Sequence, residues 1–184
     1  DIFIDEDANI PVAEIDVNDV LNCNTSSIIL DGTNSTSGTN ITFSWETTDG
    51  NFVSDPNDLS PSIDAAGTYQ LTIIDTTNNC VNSTEIIVPI DTIAPVAVAT
   101  TPGILTCDVL EIDLDGTASS SNGDFTINWT TSFGDIVNGA NGYTPTISEP
   151  GIYTIDILNN ENGCTASATT EVLQDIEDPV AAIE

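Results

Sequence analysis

One set of residues returns at intervals of 84 along the chain, and this repeat constrains the fold more than any other feature. Pro11, Pro95 and Pro179 keep that spacing without an insertion or deletion. Five further pairs keep it too: Cys23 and Cys107, Trp45 and Trp129, Gly67 and Gly151, Tyr69 and Tyr153, Cys80 and Cys164. A fixed period predicts structural units of one kind in tandem. We expect full units over 7–90 and 91–174, after the end of a preceding unit or a linker (1–6) and before the start of a third (175–184).

Apolar and polar residues alternate within each unit. The alternation runs from Ile41 to Trp45 and again from Phe125 to Trp129, and a period of two is typical of β-strands with one buried face. Turn-forming dipeptides separate such runs, for example Asp31-Gly32, Asp49-Gly50 and Asn162-Gly163. Short strands at this spacing predict an all-β fold, with one β-sandwich in each unit.

The charge of the chain excludes several classes of function. Its 184 residues include 30 acidic residues and no Lys, Arg or His, so the formal charge is −30. Such a surface repels nucleic-acid phosphates and anionic membranes. Imidazole or lysine catalysis is impossible without those residues, and no apolar run is long enough for membrane insertion. We therefore expect no enzyme activity. Because the chain also lacks Met, we expect it to be a piece of a longer protein.

The four cysteines predict disulfides. Each unit carries two cysteines 57 residues apart, with no CxxC motif and no histidine nearby, a pattern that favours disulfides over metal sites. The pairing that repeats with the fold is Cys23–Cys80 and Cys107–Cys164, one disulfide per unit. Bridges between units remain an alternative. Disulfides also predict a location outside the cytosol.

Acidic residues concentrate just before each Pro-Val-Ala. Asp7, Asp91 and Asp175 hold equivalent places there, and carboxylates are ligands that Ca²⁺ takes in groups of six to eight. The alternative is a solvated acidic face. A pair of carboxylates for glycoside hydrolysis, facing each other across a cleft, is not indicated in units this small. Calcium is thus the one cofactor that the sequence suggests.

Two pairs of aromatic residues repeat with the units. Trp45 and Trp129 are predicted to lie mid-strand in the core, with sugar stacking as the alternative. Tyr69 and Tyr153 each follow a Gly by two residues. We expect their hydroxyls to hold down a loop, as corner tyrosines do.

Other aromatic residues do not repeat. Phe133 and Tyr143 have Asp49 and Leu59 at the equivalent places of the first unit, which makes them candidates for exposed contacts. The segment Ile2-Phe3-Ile4 is a candidate strand that adds to a neighbouring sheet.

The order of these motifs resembles the Ig-like/PKD-like repeats of giant surface adhesins from Bacteroidetes-type bacteria. The resemblance covers both units. In the second unit it rests on Leu105-Thr106-Cys107, Leu114-Asp115-Gly116-Thr117, Trp129-Thr130-Thr131, Pro150-Gly151-Ile152-Tyr153 and Asn162-Gly163-Cys164. Gliding adhesins and other proteins exported by a dedicated outer-membrane system carry such repeats. The resemblance implies tandem Ig-like/PKD-like β-sandwiches at the cell surface.

The resemblance also implies a modification. Bacteria of that group O-glycosylate Asp-Thr followed by Thr or an apolar residue. Asp75-Thr76-Thr77 and Asp91-Thr92-Ile93 have this form, so Thr76 and Thr92 are candidate sites, with chance occurrence as the alternative.

Together these features predict a non-catalytic structural segment of an extracellular fibre, stalk or adhesin, whose partners are other copies or repeats of its own kind. One alternative is an adhesin module that binds glycans or surfaces through loop aromatics and calcium. Another is an accessory domain of a secreted polysaccharide-degrading enzyme.

Overall fold

β-Strands provide all the regular secondary structure in the residues that this computed structural model describes, 9–101 and 103–176. No helix among those residues is long and apolar enough to cross a membrane. Three sequence predictions fall outside the described residues: the strand Ile2-Phe3-Ile4, the calcium ligand Asp7, and the third repeat beyond residue 176.

The chain forms two compact units that divide between Thr92 and Ile93. Asp91 therefore belongs to the first unit and Asp175 to the second. The strands of the first unit are β1 (Leu21–Asn22), β2 (Ile28–Ile29), β3 (Ile41–Thr47), β4 (Ser62–Ile63), β5 (Gly67–Asp75), β6 (Cys80–Val88) and β7 (Ile90–Asp91). Those of the second unit are β8 (Leu105–Thr106), β9 (Ile112–Asp113), β10 (Phe125–Phe133), β11 (Ile136–Asn138), β12 (Thr146–Ile147), β13 (Gly151–Asn159), β14 (Thr165–Val172) and β15 (Gln174–Asp175).

The first unit has one long antiparallel sheet and several short pairings. The long sheet has the order β3-β5-β6, with Trp45 opposite Leu71 and Asp75 opposite Cys80. β2 pairs with β4, and isolated bridges add Asp16 and Phe52 to that layer. β1 pairs with β7 in parallel.

The second unit repeats this plan. Its long sheet has the order β10-β13-β14, and β8 pairs in parallel with β15. The second layer is more regular here, because β11, β12 and β9 form a three-stranded sheet where the first unit has a pair and a bridge.

Each unit encloses its own core between the two layers. Along β5 the buried residues are Tyr69, Leu71 and Ile73, at the spacing that puts side chains on one face of a strand. They pack with Leu30 and Ile63 of the opposite layer. The second unit has the equivalent core of Leu114, Trp129, Ile147, Tyr153, Ile155 and Ile157. The predicted all-β sandwich is confirmed.

The corner tyrosines are confirmed as structural residues. The Tyr69 hydroxyl donates a hydrogen bond to the Ala65 carbonyl (2.7 Å) and accepts one from the Asn51 amide (2.9 Å). Tyr153 makes the equivalent bonds with Glu149 and Asp135, at 2.6 and 3.2 Å. This tie from a strand back to a residue four positions upstream is a hallmark of Ig-like sandwiches.

The two tryptophans lie in the cores, as predicted. Trp45 is 4% exposed and Trp129 is 2% exposed, so neither indole presents a face to a sugar. Their indole nitrogens differ: Trp129 Nε1 donates to the Gly142 carbonyl at 3.0 Å, whereas Trp45 Nε1 is buried and has no acceptor among the described residues.

Candidate functional site

The second cysteine of each unit lies where the chain enters that unit. In the first unit the Asn78 side chain donates to the Asn9 carbonyl (3.0 Å) and accepts from the Cys80 amide (2.9 Å). Asn79, between them, has a φ of 59°, a left-handed conformation that Asn tolerates better than most residues. This asparagine clamp fixes Cys80 beside the first described residue of the unit. We call this the entry end.

The first cysteine of each unit lies where the chain leaves it. β1 pairs with β7 so that Asn22 lies opposite Asp91. Cys23 directly follows β1 and is exposed. It therefore stands next to the last residues of the unit, and we call this the exit end.

Both ends are built in the same way in the second unit. Asn162 donates to the Ile93 carbonyl and accepts from the Cys164 amide, each at 3.0 Å, and Gly163 replaces Asn79 with a φ of 72°. At the exit end, Thr106 of β8 lies opposite Asp175 of β15, just before Cys107. The roles of Asn78 and Asn162 were missed in the sequence, although Asn-x-Cys recurs at the 84-residue spacing.

The structure corrects the predicted pairing of the cysteines. Cys23 and Cys164 are disulfide-bonded, while Cys80 and Cys107 are free thiols, so each predicted pair contains one free thiol. The prediction of Cys23–Cys80 and Cys107–Cys164 bridges within units is therefore wrong for this structure. Cys164 is 2% exposed, whereas Cys80 at the equivalent place is partly exposed.

The fold of a single unit explains why its two cysteines do not meet. β6 runs nine residues from Cys80 to Val88, about 26 Å at the usual rise of a strand, and Cys23 lies past its far end. A disulfide needs Cα atoms within about 7 Å. In antibody-type sandwiches a cysteine stands two residues after the corner tyrosine. Here Leu71 and Ile155 occupy that position and are fully buried.

The predicted calcium ligands are not gathered into a site within the described residues. Asp91 is in β7 and Asp175 is in β15, and Asp7 is among the residues not described. No group of three Asp, Glu, Cys or His side chains in the described part of the chain could hold a metal ion. The calcium site stays a prediction.

The repeated Asp-Gly-Thr forms a turn. The Thr117 hydroxyl and amide both donate to Asp115 Oδ1, at 2.6 and 2.8 Å, and Thr33 bonds Asp31 in the same way. The side-chain hydrogen bond from each Thr is the main cause that lowers the pKa of the carboxyl, for Asp31 and Asp115 alike. These two acids are thus engaged in holding the local backbone.

The candidate glycosylation sites are both exposed. Thr92 is the last residue of the first unit. Thr76 lies in the turn between β5 and β6, and its hydroxyl donates to the Asn40 carbonyl at 2.8 Å. Glycosylation of Thr76 would remove the hydroxyl proton that donates this bond, so modification there would cost one local hydrogen bond.

An apolar groove occurs beside the exit end of the second unit. Phe133, which is 77% exposed, lines it with Ile152, Leu173 and Ile176. Phe133 thus has the exposure expected of a contact residue. Tyr143 does not, because it is partly buried and its hydroxyl donates to the Ser120 carbonyl at 2.7 Å.

Comparison with known proteins gives structural likenesses only. No protein-family model and no curated protein matches the chain. The PKD domain from the KIAA 1837 protein is 19% identical (TM-score 0.40), and the match covers 51% of this chain and 99% of that domain. Extracellular domains 3–5 of Drosophila OTK are 14% identical (TM-score 0.41), and the match covers 88% of this chain and 62% of that one. Immunoglobulin domains 1–5 of Sidekick-1 are 13% identical (TM-score 0.39), and the match covers 92% of this chain and 40% of that one. Because these TM-scores are low, the fold assignment rests on the strand order and the corner tyrosines.

Proposed function

We propose that the chain is a non-catalytic spacer segment of an extracellular tandem array. One observation carries this proposal: each unit holds its entering and leaving chain at opposite ends. The asparagine clamp fixes the start of the first unit beside Cys80, and the β1–β7 pair fixes its end past Val88.

A module whose chain enters at one end and leaves at the other adds its own length each time it is repeated. β6 alone accounts for about 26 Å of each unit, so the reach of the array grows with repeat number. The disulfide and the exposed acidic surface suit an oxidising location outside the cell. Export by a dedicated bacterial system and assembly with like repeats belong to this proposal through the sequence resemblance.

The spacer function is tested by assaying the chain for enzymatic activity and for ligand binding. The 184-residue chain is incubated with polysaccharide and peptide substrates and is applied to a glycan array. We expect no hydrolysis and no retained glycan. Hydrolysis of any substrate would contradict the proposal.

A second candidate function is recognition of a glycan or surface by the apolar groove. It is favoured by the exposure of Phe133 and by its absence from the first unit, where Asp49 stands at the equivalent place. If a glycan is retained, Phe133→Ala should abolish the retention. The matched control is Asp49→Ala, which alters the same position of the other unit and should leave retention unchanged.

A further inference from the structure

We propose that the first unit contains a binding site for a neutral phenol, at a cavity that a tyrosine side chain fills in the second unit. The cavity has a volume of about 210 Å³. It lies entirely within the first unit, and the site adds to the spacer function proposed above without depending on it. The cavity is lined by Thr36, Ser37, Gly38, Ile41, Phe43 and Leu59.

The backbone at this cavity has the same arrangement in the two units. In the first unit the Gly32 amide donates a hydrogen bond to the Leu59 carbonyl at 2.9 Å. In the second unit the Gly116 amide donates to the Tyr143 carbonyl at 2.8 Å. Leu59 and Tyr143 therefore occupy one backbone position, and the difference between them lies in the side chain.

The Tyr143 side chain crosses the equivalent space in the second unit. Its hydroxyl donates to the Ser120 carbonyl at 2.7 Å, and Ser120 is the counterpart of Thr36 at the 84-residue spacing. In the first unit Leu59 and Thr36 both line the cavity. Leu59 is shorter than tyrosine and has no hydroxyl to donate to the Thr36 carbonyl. A phenol in the cavity would supply both the missing ring and the missing hydrogen bond.

The size and the lining of the cavity suit this class of ligand. An apolar cavity of about 150 Å³ is large enough to hold benzene, so the 210 Å³ found here accommodates one substituted ring. Ile41, Phe43 and Leu59 provide apolar contact for that ring, and the Thr36 carbonyl provides an acceptor for its hydroxyl. The formal charge of −30 disfavours an anionic ligand, whereas a phenol stays neutral below about pH 10.

A tryptophan beside the cavity gives a reporter of binding. In the second unit Trp129 Nε1 donates to the Gly142 carbonyl, whereas Trp45 Nε1 is buried without an acceptor among the described residues. The Trp45 ring and the Leu59 carbonyl lie 3.2 and 2.9 Å from the place that a Cβ atom would take at Gly32. The Trp45 indole is therefore a neighbour of the loop that bounds the cavity, and its N–H should sense a bound ligand.

The first experiment titrates the 184-residue chain with p-cresol, which is the tyrosine side chain alone. The two indole N–H signals are followed by NMR and are assigned with the variants Trp45→Phe and Trp129→Phe. We expect one site per chain and a saturable shift of the Trp45 signal only. No saturable shift up to the solubility limit of p-cresol, or equal shifts of both signals, would overturn the proposal.

Reciprocal substitutions locate the site. Leu59→Tyr should fill the cavity and weaken p-cresol binding more than tenfold, whereas Tyr143→Leu should open the equivalent cavity and add a second site, reported by the Trp129 signal. The matched control is Leu110→Tyr, which adds a tyrosine at an exposed position of the other unit and should leave the affinity unchanged. Unchanged affinity in a folded Leu59→Tyr variant would overturn the proposal.

A comparison of ligands tests the hydrogen bond on the native chain, whether or not those variants fold. 4-Methylanisole keeps the ring and the oxygen of p-cresol but has no proton to donate. It should bind at least tenfold more weakly, because its oxygen would face the Thr36 carbonyl oxygen without a hydrogen bond. Equal affinity for the two compounds would overturn the proposal.

A third ligand distinguishes the sources of the phenol. N-acetyltyrosinamide carries the same phenol between two neutral amide groups. Binding as tight as that of p-cresol would indicate that the site takes a tyrosine side chain from another polypeptide, whereas much weaker binding would indicate a free small phenol.

Discussion

At the scale of single residues, the corner tyrosines combine full burial with hydrogen bonds to the backbone. Tyr69 and Tyr153 are fully buried, and each hydroxyl both donates and accepts a backbone hydrogen bond. Burial is the main cause that raises the pKa of both phenols, partly offset by the amide that each accepts from and reinforced by nearby carboxylates.

The raised pKa of these phenols predicts alkaline unfolding. Because the folded pKa lies above the unfolded value, the stability that the neutral phenols contribute is fully present below about pH 10 and is lost as pH rises through the folded pKa. The chain has no Lys or Arg whose titration would obscure this loss. We expect the melting temperature of the native chain to decrease as the pH is raised above 10.

Substitution at the corner separates this effect from general alkaline damage. Tyr69→Phe and Tyr153→Phe should each lower stability by about 1–3 kcal/mol at pH 7, since buried partners are left unpaired, and should reduce the further loss above pH 10. Tyr143→Phe is the control, because it removes a phenol and keeps both corners. An unchanged alkaline loss in the double variant would contradict the assignment.

The two tryptophans offer a matched pair of substitutions. Trp129→Phe removes the hydrogen bond to Gly142, whereas Trp45→Phe removes an indole N–H that is buried without an acceptor among the described residues. Both lose similar packing. Trp129→Phe should therefore be more destabilising than Trp45→Phe by about 1–2 kcal/mol. Calorimetry of both variants checks this, and the remaining tryptophan reports the fluorescence of the unaltered unit. Equal or reversed costs would contradict the prediction.

At the scale of elements, the short parallel pairs β1–β7 and β8–β15 decide where the first cysteine of each unit lies. They are only two residues long, yet they place that cysteine at the exit end, opposite to the hairpin that carries the second. The asparagine clamp does the same for the entry end. Together they place the two cysteines of a unit at its opposite ends.

The thermal stability of two serine variants tests this arrangement. Cys23→Ser should lower the melting temperature, because Cys23 is disulfide-bonded and a disulfide typically contributes about 2–4 kcal/mol to stability. Cys80→Ser should have little effect, because its thiol is free. Thermal unfolding of both variants without reductant is the measurement. Equal losses for the two would indicate pairing within units and would contradict the structure.

At the scale of the whole molecule, both units carry one plan at the 84-residue period. The sheet order β10-β13-β14 repeats β3-β5-β6, and the parallel pair β8–β15 repeats β1–β7. A corner tyrosine ties the same turn in each unit. Each unit therefore has its own core and its own entry and exit ends.

The local and repeated features of this protein could be predicted from its sequence alone. Alternation along β3 and β5, the turn chemistry of Asp-Gly-Thr and the places of the buried Trp and Tyr follow from interactions between residues that are near in sequence or bound by a strict period. The tertiary structure was needed to show that the two cysteines of a unit do not pair. Spacing favoured Cys23 with Cys80, but a strand of nine residues holds them apart, and that distance depends on which strands pair at the two ends of the sandwich. Such long-range pairing has no signature in the spacing of the residues it joins.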